Sequence, residues 1–168
     1  MGLEKDILLW DGKSADDIGA IFNAHKNKPG FTKAIVDALE SLTLQKGASW
    51  LLKAWFEAGG KLEKEHILSV YTQLNNLDSW EAKVHILQCM PYMPVAKKVL
   101  KNVDAFLRFT LTDTNKFVRA WSYNGFYELA CQYPEYRAEA NQFFDMAMKD
   151  EAASVKARIR NILKKGYS

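Results

Sequence analysis

Apolar residues recur at intervals of three and four positions along most of the chain, which is the pattern of amphipathic helices. One stripe of this kind contains Ala48, Leu51, Leu52, Trp55 and Phe56. Strict alternation of apolar and polar residues, which is typical of a half-buried strand, is not sustained in any segment. The pattern therefore predicts an all-α fold without strands.

Helix-breaking residues separate the apolar stripes. Pro29-Gly30 and Gly59-Gly60 mark two of the breaks, because proline and glycine disfavour helix interiors. Short connections between the stripes indicate consecutive antiparallel helix hairpins. The stripes and breaks together predict ten helices, near 4–10, 14–26, 31–41, 46–58, 62–75, 79–90, 95–111, 115–132, 135–149 and 153–165.

Three of these helices share a spacing that indicates an internal repeat. Their apolar stripes begin at Trp80, Val118 and Val155, which are 38 and 37 residues apart. A small polar turn residue stands five positions before each start, namely Asn75, Asp113 and Asp150. A period of this length is typical of stacked helix hairpins, in which each hairpin buries its apolar face against its neighbours.

The repeat resembles that of HEAT-repeat proteins, whose second helix typically has an Asp, a short gap, Val-Arg, and then small and aliphatic residues at helical spacing. Residues 113–126 match this pattern well through Asp113, Val118 and Arg119, and residues 150–163 match it nearly as well. The clear resemblance covers about residues 61–165 of the chain. It implies an α-α superhelix, a HEAT-like solenoid of four to five hairpins.

The same resemblance implies a domain organisation. The whole chain, 1–168, would form a single solenoid domain whose first 30 residues supply N-terminal capping helices. Four helix-hairpin repeats would follow at 31–60, 61–93, 94–133 and 134–168.

In HEAT-repeat proteins the Asp and the Arg or Lys commonly form a ladder between adjacent repeats. The resemblance implies that Asp113 and Asp150 pair with Arg119 and Lys156. Such a structural role competes with any ligand role for these two cations. The helix at Trp80 departs from the family pattern at its acidic and basic positions.

The second helices of HEAT-type solenoids usually line a concave surface, and the helical turn of 100° per residue selects the side chains beside each apolar stripe. The candidate binding residues in these rows are Arg119, Tyr123, Tyr127, Lys156, Arg160 and Lys164, with His85 in the row of the preceding second helix. Lysine and arginine contact phosphates or acidic side chains, and tyrosine provides flat contact area. A second interpretation remains open, in which both tyrosines pack against neighbouring helices and their hydroxyls reach water.

Composition narrows the class of function. The chain has 168 residues, 48% of them hydrophobic, which excludes a disordered protein. Its 23 Lys and Arg against 20 Asp and Glu give a net charge of +3, a smaller excess than a dedicated nucleic-acid binder usually has. The charge is uneven, however, because residues 94–120 and 149–168 each contain six basic against two acidic residues.

No sequence motif indicates catalysis. The chain lacks a nucleophile elbow, a glycine-rich phosphate loop and a paired-histidine metal motif. His85 and Glu81 lie one turn apart and supply at most half of a metal site. We predict no catalytic residue, no metal and no cofactor.

The compartment is predicted from the cysteines and the absence of targeting signals. Cys89 and Cys131 stand far apart in apolar stretches, which indicates buried reduced thiols in the cytoplasm. The N-terminus lacks a signal-peptide pattern, and no apolar run is long enough for a transmembrane helix. We expect a cytoplasmic protein without membrane association.

Two functions remain open at this point. The first is a non-catalytic HEAT-like binding or scaffold module that recognises a protein or peptide segment, including an acidic one, through its concave face. The second is nucleic-acid binding related to the HEAT-like DNA alkylation-repair proteins, through a C-terminal basic groove. The chain looks short for that family, and only Glu57 and Glu81 supply carboxylates in the predicted rows, so a glycosylase activity has little support.

Overall fold

The computed structural model describes residues 2–167 and confirms the predicted all-α class, because that range contains helices and no strand. Each of the ten predicted helices is present. Their bounds are α1 Gly2–Leu9, α2 Ala15–His25, α3 Phe31–Ala38, α4 Gln45–Glu57, α5 Lys64–Thr72, α6 Trp80–Cys89, α7 Leu100–Thr110, α8 Lys116–Gln132, α9 Arg137–Asp150 and α10 Ala153–Lys165. None of the helices within residues 2–167 combines the length and the apolar character needed to cross a membrane.

The chain divides into two compact units, one ending at Met93 and the other beginning at Pro94. The N-terminal unit contains α1–α6, and the C-terminal unit contains α7–α10. The division falls where the sequence predicts the end of one hairpin repeat, at residue 93.

The N-terminal unit contains two stacked hairpins, α3–α4 and α5–α6. The second helices α4 and α6 make the most extensive contact, which we call the N-terminal seam, while the first helices α3 and α5 also touch. Helix α2 packs against α4 and α1. Fully buried leucines on both second helices, Leu51, Leu52 and Leu87, contribute to the core of this unit.

The C-terminal unit repeats this arrangement with α7–α8 and α9–α10. The second helices α8 and α10 make its most extensive contact, which we call the C-terminal seam, and α8 also packs against α7 and α9. Its buried cluster includes Phe144 of α9 with Val155, Ile159 and Ile162 of α10. Helix α8 therefore has neighbours on three sides, whereas α10 contacts only α8 and α9 extensively.

Local sequence explains the main helix boundaries. The side-chain oxygens of Ser14, Ser79 and Asn115 cap α2, α6 and α8, each accepting a hydrogen bond from a backbone N–H in the first turn. The break after α4 uses both glycines. Gly59 has a φ of 89°, and a Cβ on Gly60 would overlap the Trp55 ring.

The predicted start of the repeat at Trp80 is wrong by two residues. Val118 and Val155 are the third residues of α8 and α10, and both are fully buried. The third residue of α6 is Ala82, which is also fully buried, while Trp80 is 44% exposed. Because Ser79 caps α6, Trp80 occupies the first helical position and projects from the core.

The start of α7 also differs from the prediction, which placed it near residue 95. The side-chain amide of Gln132 accepts a hydrogen bond from the N–H of Val95 and donates one to its carbonyl, both at 2.8 Å. These bonds hold Val95 outside the helix, and a 3-10 turn at Lys97–Val99 leads into α7 at Leu100. Long-range side-chain contacts thus shorten the helix that periodicity predicts.

Candidate functional site

Arg119 of the predicted basic-aromatic patch is held in a bidentate ion pair. It lies in the first turn of α8, where its Nε and Nη2 donate to the two carboxylate oxygens of Glu151 at 2.8 and 3.1 Å. Its Nη1 donates to the backbone carbonyls of Asp113 and Thr114. Hydrogen bonding to Arg119 lowers the pKa of Glu151, so this carboxylate keeps its charge and neutralises the guanidinium.

The ladder implied by the HEAT resemblance is therefore wrong in its acidic partner. Glu151 pairs with Arg119, whereas the carboxylate of Asp113 accepts a hydrogen bond from the N–H of Asn115. No ion pair joins Asp150 to Lys156 within residues 2–167. The reason is the short α9–α10 connection. Glu151 has an extended backbone there, with φ −84° and ψ 166°, while Asp150 still belongs to α9.

The two tyrosines of the predicted row are mainly packing residues. Tyr123 and Tyr127 are each 8% exposed and belong to the core of the C-terminal unit. Tyr123 packs against Phe144, and the ring of Tyr127 stacks on Tyr167 with 5.6 Å between centroids. The hydroxyl of Tyr127 donates to the carbonyl of Gly166 at 2.8 Å rather than reaching water. Burial raises the pKa of Tyr127 to about 12.

The three cations of the α10 row lie on a helix without acidic residues. Helix α10 contains five Lys and Arg and no Asp or Glu. Arg160 and Lys164 are exposed and Lys156 is half-buried. No ion pair involves any of the three among the contacts of residues 2–167. Their charges are therefore available to an external anionic group.

A further cation on α10 has an internal partner that the sequence analysis missed. The guanidinium carbon of Arg158 lies 4.0 Å from the centroid of the Trp121 ring on α8, which is a cation–π contact. Arg158 lies between Lys156 and Arg160 in the sequence, and its contact with Trp121 joins α10 to α8. The periodicity contains a signal for it, because Arg158 and Trp121 each stand three residues after the buried valine that begins the stripe.

His85, the remaining predicted site residue, lies in the N-terminal seam. Its Nδ1 is 2.9 Å from the hydroxyl oxygen of Ser49 on α4. The hydroxyl of Ser49 also lies 3.0 Å from the carbonyl oxygen of Lys46 on its own helix. His85 is thus a hydrogen-bonding residue between α4 and α6.

The electrostatics of this seam keep His85 neutral. Burial, together with a smaller effect of the positive charge of Lys53, lowers the pKa of His85 to about 4. Glu81 opposes this effect, but Glu81 is itself paired with Lys46 of α4 at 2.7 Å. Lys53 is also paired, with Glu57 at 2.9 Å. The charges around His85 are therefore balanced inside the N-terminal unit.

The cysteines supply no reactive group to either seam. Cys89 is buried, and burial raises the pKa of its thiol, so the thiol stays protonated. Cys131 is partly exposed, in contrast to the buried position expected for it. Within residues 2–167, no three His, Cys, Asp or Glu side chains are grouped closely enough to hold a metal ion.

The structure brings together only part of the predicted site. Arg119 and Tyr123 line one cleft of the C-terminal unit, whereas Tyr127 contacts the segment after α10. Comparison of the chain with protein-family models, curated proteins and solved structures finds no match.

Proposed function

We propose that the protein is a non-catalytic binding module, built from HEAT-like stacked hairpins, that recognises an acidic protein segment through α10. The observation that carries this proposal is the row of unpaired cations Lys156, Arg160 and Lys164 on a helix without acidic residues. Other lysines and arginines near the seams have internal partners, as Lys46 and Arg119 do. Unlike these two cations, the α10 row forms no ion pair within residues 2–167.

The stacking of the hairpins supports the HEAT-like part of the proposal. In each unit two consecutive hairpins meet through their second helices, and the earlier second helix has a cation paired with an acid near the start of the later one. Stacked-hairpin proteins usually offer extended surfaces for recognition. A HEAT-like solenoid would use the second helices for this purpose.

The geometry of the row favours a short peptide segment. Residues four apart on a helix are separated by about 6 Å along its axis. Alternate side chains of an extended peptide, which point to the same side, are about 6.6 Å apart. Three cations at this spacing therefore match three acidic side chains at alternate positions of an extended segment.

The charge around the row argues against a long polyanion such as a nucleic acid. Residues 121–148, which include most of the neighbouring helix α9, carry one arginine against four acidic residues. A nucleic acid that extended beyond α10 would meet this negative charge. A short acidic segment is attracted by the cations of the row and does not reach the negative charge of residues 121–148.

The experiment is a binding titration with two anionic probes. A fluorescein-labelled peptide of about ten residues with alternating glutamate and a single-stranded oligonucleotide of equal charge are titrated with the protein, and anisotropy is measured at about 50 and 200 mM salt. We expect the peptide to bind more tightly than the oligonucleotide. Salt should weaken both.

A pair of charge-matched variants locates the binding. K156Q/R160Q/K164Q should weaken peptide binding about tenfold, because three exposed ion contacts of roughly 0.5 kcal/mol each amount to one factor of ten. The control K97Q/K98Q/K101Q removes the same charge from exposed lysines of the same unit and should change binding less than about twofold. Equal losses in both variants, or tighter binding of the oligonucleotide, would contradict the proposal.

A further inference from the structure

The N-terminal unit exposes apolar side chains around an open cleft of about 350 Å³ at the end of α1. Leu8 and Trp10 line this cleft together with Thr43 of the α3–α4 connection. Leu8 is 59% exposed, Leu9 is 75% exposed, and Leu42, which precedes Thr43, is exposed as well. We call Leu8, Leu9, Trp10 and Leu42 the α1 patch. Exposed leucines grouped at a cleft are typical of a surface that a partner covers.

An acidic segment borders the α1 patch. The Nε1 of Trp10 donates to the carbonyl of Ser14 at 2.8 Å, which holds the indole ring next to the start of α2. Residues 11–17 contain one lysine and three exposed aspartates, namely Asp11, Asp16 and Asp17. None of these aspartates forms an ion pair within residues 2–167. Apolar area beside a negative rim suits a partner surface that is apolar and basic.

The exposed side of α10 has this complementary character. Leu163 is exposed and lies one turn from Arg160 of the α10 row. Ala157, one turn to the other side of Arg160, is also exposed, and its small side chain leaves room for a leucine of a partner. Helix α10 contacts only α8 and α9 extensively, so its remaining side is open to a partner.

We infer that α10 of one copy docks on the α1 patch of a second copy of this chain. The inference rests on the proposed function, because it makes residues 11–17 of the second copy the acidic segment that the α10 row recognises. Three carboxylates then face three cations, and Leu163 adds apolar contact with the α1 patch. The two surfaces differ, so the association is head-to-tail and each copy carries one surface of each kind.

Sedimentation velocity of the wild-type protein at rising concentration tests this association. A contact through one helix is small, so we expect the weight-average mass to exceed that of the monomer only at about 100 µM and above. Raising the salt concentration from about 50 to about 300 mM should return the mass to that of the monomer, because charge supplies much of the attraction.

Two variants remove one surface each. L8Q/L9Q replaces exposed leucines of the α1 patch, and K156Q/R160Q/K164Q removes the charge of the α10 row. Each variant alone should self-associate about tenfold more weakly than the wild type. An equimolar mixture of the two should form a dimer and nothing larger, because the intact α10 of the first variant meets the intact α1 patch of the second.

A charge-matched pair tests the acidic rim separately from the leucines. D16N/D17N should weaken self-association about fivefold, since it removes two of the three carboxylates. The control E63Q/E65Q removes the same charge from exposed residues of the same unit and should change self-association less than about twofold.

Three results would overturn the inference. One is a wild-type protein that stays monomeric at every concentration. Another is self-association of K156Q/R160Q/K164Q as tight as that of the wild type, which would mean that α1 patches bind each other. The third is a mixture of the two variants that contains no dimer.

The glutamate peptide distinguishes this failure from failure of the proposed function. If the wild type stays monomeric but the peptide still needs the α10 row, only the inference is wrong. If K156Q/R160Q/K164Q and K97Q/K98Q/K101Q lose the peptide equally, the proposed function itself is wrong.

Discussion

The two seams have the same packing arrangement, but they differ in how many of their charged and polar side chains have a partner inside the protein. In the N-terminal seam, Lys46 pairs with Glu81, Lys53 with Glu57, and the neutral His85 bonds to Ser49. In the C-terminal seam, Arg119 is paired with Glu151, but Lys156, Arg160 and Lys164 of α10 form no ion pair within residues 2–167.

Paired side chains hold neighbouring hairpins together, whereas side chains without an ion pair remain available to a binding partner. Charges within the N-terminal seam satisfy one another, so an external anion would have to displace an internal carboxylate before it could bind. On α10 an external anion displaces only water and counterions. The proposal that binding occurs at the C-terminal unit therefore depends on unpaired charge, since both seams are formed by the same kind of helix pair.

The largest expected effect that distinguishes the seams concerns acid sensitivity. His85 has a folded-state pKa of about 4, below its usual 6.5, so the folded protein takes up its proton at lower pH than the unfolded chain. The stabilisation from keeping His85 neutral is complete above pH 6.5 and is lost as the pH falls from 6.5 to about 4. The loss is roughly 3 kcal/mol. It is measured by urea unfolding, with hydrogen exchange of α4 and α6 as a local readout.

The control for this prediction is His85→Asn, which retains a side-chain hydrogen-bonding group near Nδ1 but cannot be protonated in this range. Carboxylates such as Glu151 and Asp104, whose pKa values are lowered by their partners, destabilise both proteins in acid. The difference between wild type and variant isolates His85. If wild type and variant lost stability equally as the pH falls, His85 would not be the cause of acid sensitivity in the N-terminal seam.

A smaller effect should distinguish the ion pairs of the two seams. Arg119 binds Glu151 through two nitrogens, and the two side chains are 22% and 14% exposed. Lys46 binds Glu81 through one nitrogen, with exposures of 34% and 25%. Bidentate geometry and lower exposure both strengthen an ion pair. A double-mutant cycle should give a coupling energy of about 1 to 2 kcal/mol for Arg119–Glu151 and roughly 0.5 kcal/mol for Lys46–Glu81.

Suitable substitutions for these cycles are Arg119→Gln with Glu151→Gln, and Lys46→Met with Glu81→Gln. Denaturant unfolding of the four proteins in each cycle supplies the coupling energies. Equal values, or a stronger Lys46–Glu81 pair, would remove this distinction between the seams.

The sequence predicts the helices because periodicity and breakers are local features. Val118 and Val155 are fully buried, as their spacing indicates. The same rule misplaces Trp80, since the cap at Ser79 decides which residue of α6 first faces the core.

The exposure of the side chains beside each apolar stripe is harder to predict, because it depends on how many helices surround the helix that carries them. Helix α8 has three neighbours, so the row containing Tyr123 and Tyr127 becomes part of the core. Helix α10 has fewer neighbours, so Arg160 and Lys164 stay exposed. Likewise, periodicity does not identify Glu151 as the partner of Arg119, because the pairing depends on the backbone of the α9–α10 connection.

The most direct test of the contrast between the seams is to map where an acidic segment binds. Backbone amide NMR spectra of the protein are recorded with increasing amounts of the glutamate peptide, and shifted resonances are assigned to helices. We predict that the largest shifts fall on α10, around Lys156, Arg160 and Lys164, and that α4 and α6 do not change. Shifts centred on α4 and α6, or on Lys97, Lys98 and Lys101, would contradict the assignment of binding to α10.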